Sequence, residues 1–157
     1  MTDLSALYQE VILDHNRNPR NFREIVDATR RVFGRNPLCG DEVTVWVKLN
    51  GDVIDDVSFG GRGCAISKAS ASLMTSAVKG KTREEARELF ARFHDMVTAS
   101  PTSPADTSPE AKALGRLAVL GGVRRFPARV KCATLAWHAL HSAINDGAAE
   151  ISTDDQL

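Results

Sequence analysis

The sequence contains no apolar run long enough to cross a bilayer. Its opening, MTDLSALYQEVILDHNRNPRNF, lacks the continuous hydrophobic core of a secretory signal. On those two absences the chain reads as cytoplasmic. It also lacks an excess of either charge. Twenty Lys and Arg face twenty Asp and Glu, so no overall field draws it to nucleic acid or to an anionic membrane. Cysteine is scarce. Three residues, an odd number set far apart, argue against a disulfide framework in a reducing compartment and leave metal binding, catalysis or simple burial. No internal repeat is found. What is present is the material of one domain: 157 residues, 43% of them hydrophobic, enough for a core.

Leu4, Leu7, Tyr8, Val11 and Ile12 recur at helical spacing and predict an amphipathic helix from Asp3 to His15, closed by the turn-forming NRNPRNF. ATRRVFGRN predicts a short strand. Val43, Val45, Val47 and Leu49 alternate with Thr44, Trp46 and Lys48, the pattern of a half-buried strand, and Asn50-Gly51 predicts a tight hairpin into VIDDVSF. There Val53, Val57 and Phe59 are expected on one face, interrupted by Asp55. The result is a three-stranded antiparallel meander with Cys39-Gly40-Asp41 in its first connection.

After GGRGC a helix carries Ile66, Ala69, Leu73 and Ala77, with Gly80 as its stop. Thr82 and Glu85 form a capping box for the next helix, whose stripe is Ala86, Leu89, Phe90, Phe93 and Val97. TASPTSPADTSP reads as a linker, and Ser108-Pro109 opens a short helix ending at Gly121-Gly122. A final helix is expected from about Cys132 to Asn145, with Ala133, Ala136, Trp137, Leu140 and Ile144 as its stripe. Residues 1–150 are read as a single domain, 98–121 as an inserted linker and short helix, and 151–157 as a frayed tail.

Each cysteine falls at a junction: Cys39 in a strand-to-strand turn, Cys64 at a strand-to-helix turn, Cys132 at a loop-to-helix turn. A thiol at a helix start feels unpaired N–H groups and the positive end of the dipole, which favour thiolate. If the three turns meet at one end of the sheet, Cys39, Cys64, Cys132 and Asp41 supply four donors of kinds that zinc accepts. Arg62, Arg125, Arg129 and Lys131 lie nearby to offset the negative charge. Against this, free cysteine is among the most buried residue types, and three independent core cysteines would leave the arginines as ordinary solvated charges. Spacing alone does not decide between the two.

Other features carry less. GGRG lacks the lysine and Ser/Thr of a phosphate-binding loop. His138 and His141 read as polar-face or core residues. His15 and His94 stand near helix ends, where a cation interacts favourably with the dipole. Asp55 and Asp56 are adjacent in a strand and point to opposite faces, so they cannot share a substrate.

Together, LYQEVILDHNRNPRNF, NPLCGDEVTV, GRGCAISKASASLM, VKGKT and RVKCATLAWHAL resemble the U-type iron–sulfur cluster assembly proteins, the NifU N-terminal or IscU-like family, over nearly the whole chain and in order. The resemblance implies an α+β fold, a small antiparallel sheet packed against several helices with the metal site at one end. It implies Cys39, Cys64 and Cys132 as ligand cysteines with Asp41 beside them. It further implies Cys39 as the acceptor of persulfide sulfur from a pyridoxal-phosphate cysteine desulfurase. Lys131 stands where the IscU branch has a histidine, and an ammonium cannot coordinate a metal, so Asp41 becomes the fourth ligand. That difference and the long 98–121 stretch are similar to the SufU branch. The branch implies zinc and a SufS-type desulfurase partner, with other iron–sulfur assembly proteins or apo-proteins downstream, and a sulfurtransferase-like partner rather than a stand-alone enzyme. Two alternatives stay open. One is a scaffold that assembles a labile [2Fe–2S] cluster, or holds iron, on the same ligands. The other is a zinc-stapled interaction module binding nucleic acid through Arg124, Arg125 and Arg129, which the balanced charge disfavours. The reading adopted is the sulfur acceptor, with no nucleic-acid and no membrane partner.

Overall fold

Val43, Val45 and Val47 are buried while Glu42, Thr44, Trp46 and Lys48 between them are not, so the strict alternation of the second strand places one face of the sheet against the core. In the computed structural model, which describes residues 2–99 and 114–153 and side chains from Gln9 onward, the first helix α1 (Thr2–Arg17) precedes strands β1 (Arg30–Asn36), β2 (Asp41–Asn50) and β3 (Val53–Arg62). Helices α2 (Ala65–Val78) and α3 (Arg83–Val97), a 3-10 helix (Gly115–Arg125), helix α4 (Pro127–Ile144) and strand β4 (Glu150–Ser152) follow. The sheet order is β3-β2-β1-β4. The three-stranded meander is there, antiparallel throughout, and β4 joins the outer edge of β1 in parallel. The fold is α+β with a mixed four-stranded sheet rather than three strands. No helix among the described residues is long and apolar enough to cross a membrane.

Three local expectations shift. The hairpin turn is Gly51-Asp52, one residue later than expected, since Asn50 still pairs with Val53. A register shift at Lys48/Leu49 pairs Lys48 with Asp56 and Leu49 with Ile54, leaving Asp55 over. That bulge resets the alternation: Ile54, not Val53, joins Val57 and Phe59 in the core, and Asp55 turns to solvent. The tail does not fray at its start. Ile151 lies opposite Gly34 and Ser152 opposite Arg35, and Thr153 is buried. Leu4, Leu7 and Tyr8 fall outside the described side chains, as do residues 100–113 of the proposed insertion.

Helix α4 packs on β1 and β2, and α2 packs on β3, α1 and α4. The small residues of α2 allow this crowding: Ala69, Ser70, Ala71 and Ser72 are all buried, and the Ser70 hydroxyl donates to the Ala133 carbonyl across the α2–α4 contact at 2.5 Å. The capping box of α3 forms as expected, with Thr82 and Glu85 satisfying each other's backbone N–H. His15 is no exposed cation. It is buried, its Nδ1 lies 2.6 Å from the Ser72 hydroxyl, and burial pushes its pKa down.

Trp137 of α4 stacks on Phe93 at 4.7 Å and on Phe90 at 6.0 Å between ring centroids. Phe90 also meets the edge of His138 at 5.2 Å and has His94 and His141 against it. Desolvation, reinforced by His94 and His141, pushes the His138 pKa down to about 4. A histidine held neutral in the folded state but free to titrate near its ordinary value when unfolded contributes stability that is present above about 6.5. That stability is lost as the pH falls toward 4. The partly exposed ring makes this roughly 2 kcal/mol rather than the full shift. Urea unfolding at about pH 7.5 and about pH 4.5 should therefore show a steeper acid loss for the wild type than for His138→Gln. Equal losses would remove His138 from the account.

Candidate metal centre

The site is built where three chain segments end at one edge of the sheet. Asn36 and Asp41 are the last cross-strand pair of β1 and β2, and Pro37-Leu38-Cys39-Gly40 connects them. The backbone carbonyl of Asn36 accepts from the N–H groups of Cys39 and Gly40 at 3.2 and 2.8 Å, which closes the turn and leaves the Cys39 side chain exposed. Leu38 beside it is exposed as well.

Cys64 is the N-cap of α2, its sulfur accepting from the Ser67 N–H at 3.4 Å. Its own N–H donates to Asp41 Oδ1 at 2.8 Å, and its Sγ lies 3.9 Å from Asp41 Oδ2. The glycines ahead of it are explained by this contact rather than by a phosphate. A Cβ on Gly63 would sit 2.8 Å from Asp41 Oδ1, and one on Gly61 would sit 2.2 Å from the Glu42 carbonyl, with φ at +120°. Only glycine lets the β3–α2 corner fold over the carboxylate.

Cys132 does not start its helix. Pro127 at the first helical position begins α4 earlier, behind a Phe126 cap with no side-chain hydrogen bond, so Cys132 lies more than one turn inside and is fully buried. Its thiolate therefore does not sit at the helix-start N–H groups. Its Sγ lies 3.5 Å from Cys39 Sγ and 3.6 Å from Asn36 Nδ2.

The structure thus brings Cys39, Asp41 and Cys132 together with ligand atoms within 4.8 Å of one another. Cys64 attaches to that group through Asp41. Cys132 beside it, then the N–H groups of Ser67 and Ile66, lower the Cys64 thiol to about 6 against burial and the Asp41 carboxylate. Cys132 is pushed the other way by Cys64, burial and Asp41, so Cys64 ionises first and Cys132 keeps its proton longer. Of the four cations expected around the thiols, Arg129 interacts with Cys132 and with the charge of Cys64, and is held more firmly protonated by them. Arg62 instead pairs with Glu42 at 3.4 Å.

Two residues of this region were not foreseen from sequence. Asn36 and Thr153 are buried and hydrogen-bonded to each other, with Asn36 reaching Cys132. The only local signal for Asn36 was its place at the start of NPLCGD, and Thr153 carried none.

Comparison with known proteins agrees with this architecture. Residues 7–133 match the NifU-like N-terminal domain. The chain is 44% identical over 142 residues to the zinc-dependent sulfurtransferase SufU of Bacillus subtilis, covering 90% of this chain and 92% of that protein. It is 41% identical over 156 residues to the iron–sulfur cluster assembly scaffold protein IscU of Streptococcus pyogenes, covering 99% and 94%. Among solved structures, a putative iron–sulfur cluster assembly scaffold protein for the SUF system from Fervidobacterium islandicum superposes with a TM-score of 0.78 at 35% identity, covering 88% of this chain and 97% of that one.

Proposed function

The chain belongs to the NifU-like N-terminal domain family, and on that premise we propose that it serves iron–sulfur cluster assembly as a zinc-binding sulfur acceptor, taking persulfide sulfur from a SufS-type cysteine desulfurase in the cytoplasm. The observation that carries this reading is the graded exposure of the three thiols: Cys39 exposed, Cys64 half-buried and Cys132 buried, gathered around one carboxylate. Of the three, Cys39 is the most open to a sulfur carried by another protein.

Three thiols and a carboxylate fit the donors of a zinc site, and the corner without side chains at Gly61 and Gly63 leaves room for Asp41 among them. Cys39, Asp41, Cys64 and Cys132 would hold the ion. When bound, zinc would supply a redox-inert positive charge that keeps the thiols ionised. The rest follows from the chain. The Cys39 turn is closed by backbone N–H groups on Asn36, and its side chain, 3.5 Å from Cys132 Sγ, stays exposed and can meet a donor. Cys39 Sγ attacks the outer sulfur of the donor's persulfide. A sulfur–sulfur bond forms on Cys39 as the donor's breaks, and the electron pair leaves on the donor's cysteine thiolate. Arg129 offers positive charge beside the site for the anion that approaches.

Incubation with a SufS-type desulfurase and L-cysteine, followed by peptide mass spectrometry, should find one added sulfur atom on the peptide carrying Cys39. Sulfur found instead on Cys64 or Cys132, or on none, would overturn the acceptor reading. The match of 99% of the chain to a relative named as a scaffold supports a second reading, assembly of a [2Fe–2S] cluster on the same four residues for delivery to apo-proteins. Iron and sulfide reconstitution giving a coloured species that survives gel filtration would favour it.

A further inference from the structure

The side chain of Asn36 is fully buried at the end of β1. Its Nδ2 lies 3.6 Å from Cys132 Sγ, and its Oδ1 accepts from the Thr153 hydroxyl at 3.0 Å. As a metal ligand the Cys132 sulfur would be a thiolate, which can only accept, and the amide is already turned to suit it, with its N–H toward Cys132 and its oxygen toward the hydroxyl. Thr153 reaches that point because β4 runs parallel to β1, with Ile151 packed over Gly34, where a Cβ would sit 3.1 Å from Ile151 Cδ1. Thr153 is itself buried. A continuous chain of contacts therefore runs from the C-terminal strand, through one hydroxyl and one amide, to the deepest sulfur of the site.

We infer that Asn36 and Thr153 are positioning residues for the metal centre: Asn36 donates to Cys132 and fixes the direction of its sulfur, Thr153 locks the amide in that orientation, and β4 is thereby part of the site. The inference rests on the metal reading above. Its chemistry is general. Three thiolates and a carboxylate carry more negative charge than a divalent ion neutralises, and an N–H aimed at one sulfur draws charge from it. Partners of this kind typically set metal affinity by about 10- to 100-fold. The Asn36 backbone carbonyl adds a second link, since it also holds the turn that carries Cys39. One residue thus spaces the exposed thiol from the buried one.

Chelator competition for zinc, together with the thiolate-to-metal absorption of the cobalt(II)-substituted protein, tests this in full-length variants. Thr153→Val keeps the shape of the side chain and removes the hydroxyl. Acting one contact further out than Asn36, it should weaken zinc binding by about 10-fold, the low end for a ligand's own partner, and shift the cobalt band, while Thr153→Ser restores both. Wild-type affinity with an unshifted band in Thr153→Val, or a serine variant no better than valine, would overturn the assignment. If Thr153→Val does not fold, Asn36→Asp decides: it keeps an oxygen for Thr153 and loses the N–H to sulfur, so unchanged affinity there would overturn it as well. A wild type that binds no zinc removes the metal reading and this inference together. A wild type that binds zinc beside unaffected variants removes only the inference.

Discussion

Cys39→Ser is expected to reduce sulfur acceptance by roughly a thousandfold or more, the scale on which an enzyme loses rate when its nucleophile is removed. A serine hydroxyl is not ionised near neutral pH and forms no stable persulfide. The metal-free fold should hardly notice: Cys39 is exposed in a four-residue turn closed by backbone hydrogen bonds, and such changes stay within about 0.5 kcal/mol. The competing acceptor is Cys64, whose thiol is lowered to about 6 and is largely ionised at neutral pH. Ionisation is not the deciding factor. Nucleophilicity falls as pKa falls, and exchange requires access along the sulfur–sulfur axis. Cys64 is half-buried, with its Sγ 3.9 Å from the Asp41 carboxylate, whereas Cys39 is open. Desulfurase turnover and persulfide on the acceptor should be measured with zinc in excess, Cys39→Ser beside Cys64→Ser, so that metal loss is common to both. Transfer that survives in Cys39→Ser and vanishes in Cys64→Ser would exchange their roles.

Asp41→Ala should damage two properties at once, and Asp41→Asn should separate them. The carboxylate is 1% exposed, and its Oδ1 takes the N–H of Cys64 at 2.8 Å. Alanine leaves that N–H without a partner at the start of α2, at a cost of about 2 kcal/mol in the metal-free protein. It also removes one of the four proposed donors, so zinc affinity should fall by more than the roughly 100-fold that loss of an outer partner can cost. Asparagine retains an oxygen for the Cys64 N–H and should recover most of the stability. It lacks the negative charge and should not recover the zinc. Thermal melts of the metal-free variants, set beside chelator competition, make the comparison. Zinc bound by Asp41→Ala with undiminished affinity would remove the carboxylate from the ligand set.

Much of the fold was legible because its signals are local. The valines of β2 alternate, Thr82 and Glu85 cap α3 within one turn, and the stripe Ala133, Ala136, Trp137, Leu140 and Ile144 of α4 is wholly buried. Each rests on a period of two or of about 3.6, which a stretch of sequence displays unaided. The bulge at Lys48/Leu49 was not legible. One extra residue in a strand reverses the phase of everything beyond it, and only the pairing with the neighbouring strand shows where that occurs.

The site divides along the same line. By itself the sequence determined the cast: three cysteines, Asp41 and the glycines before Cys64 were singled out by residue type, and their order along the chain resembles the family found by comparison. Only the tertiary structure decided their relations. It made Cys39 the open thiol and Cys132 the buried one, gave Asp41 the backbone of Cys64 to hold, and moved Cys132 from a helix end to a helix interior. It also brought Thr153 across 117 residues to Asn36. Residue type sets which chemistry a side chain can offer. Exposure, distance and hydrogen-bond partners arise from contacts between segments remote in the chain, and those exist only once the sheet has closed against its helices.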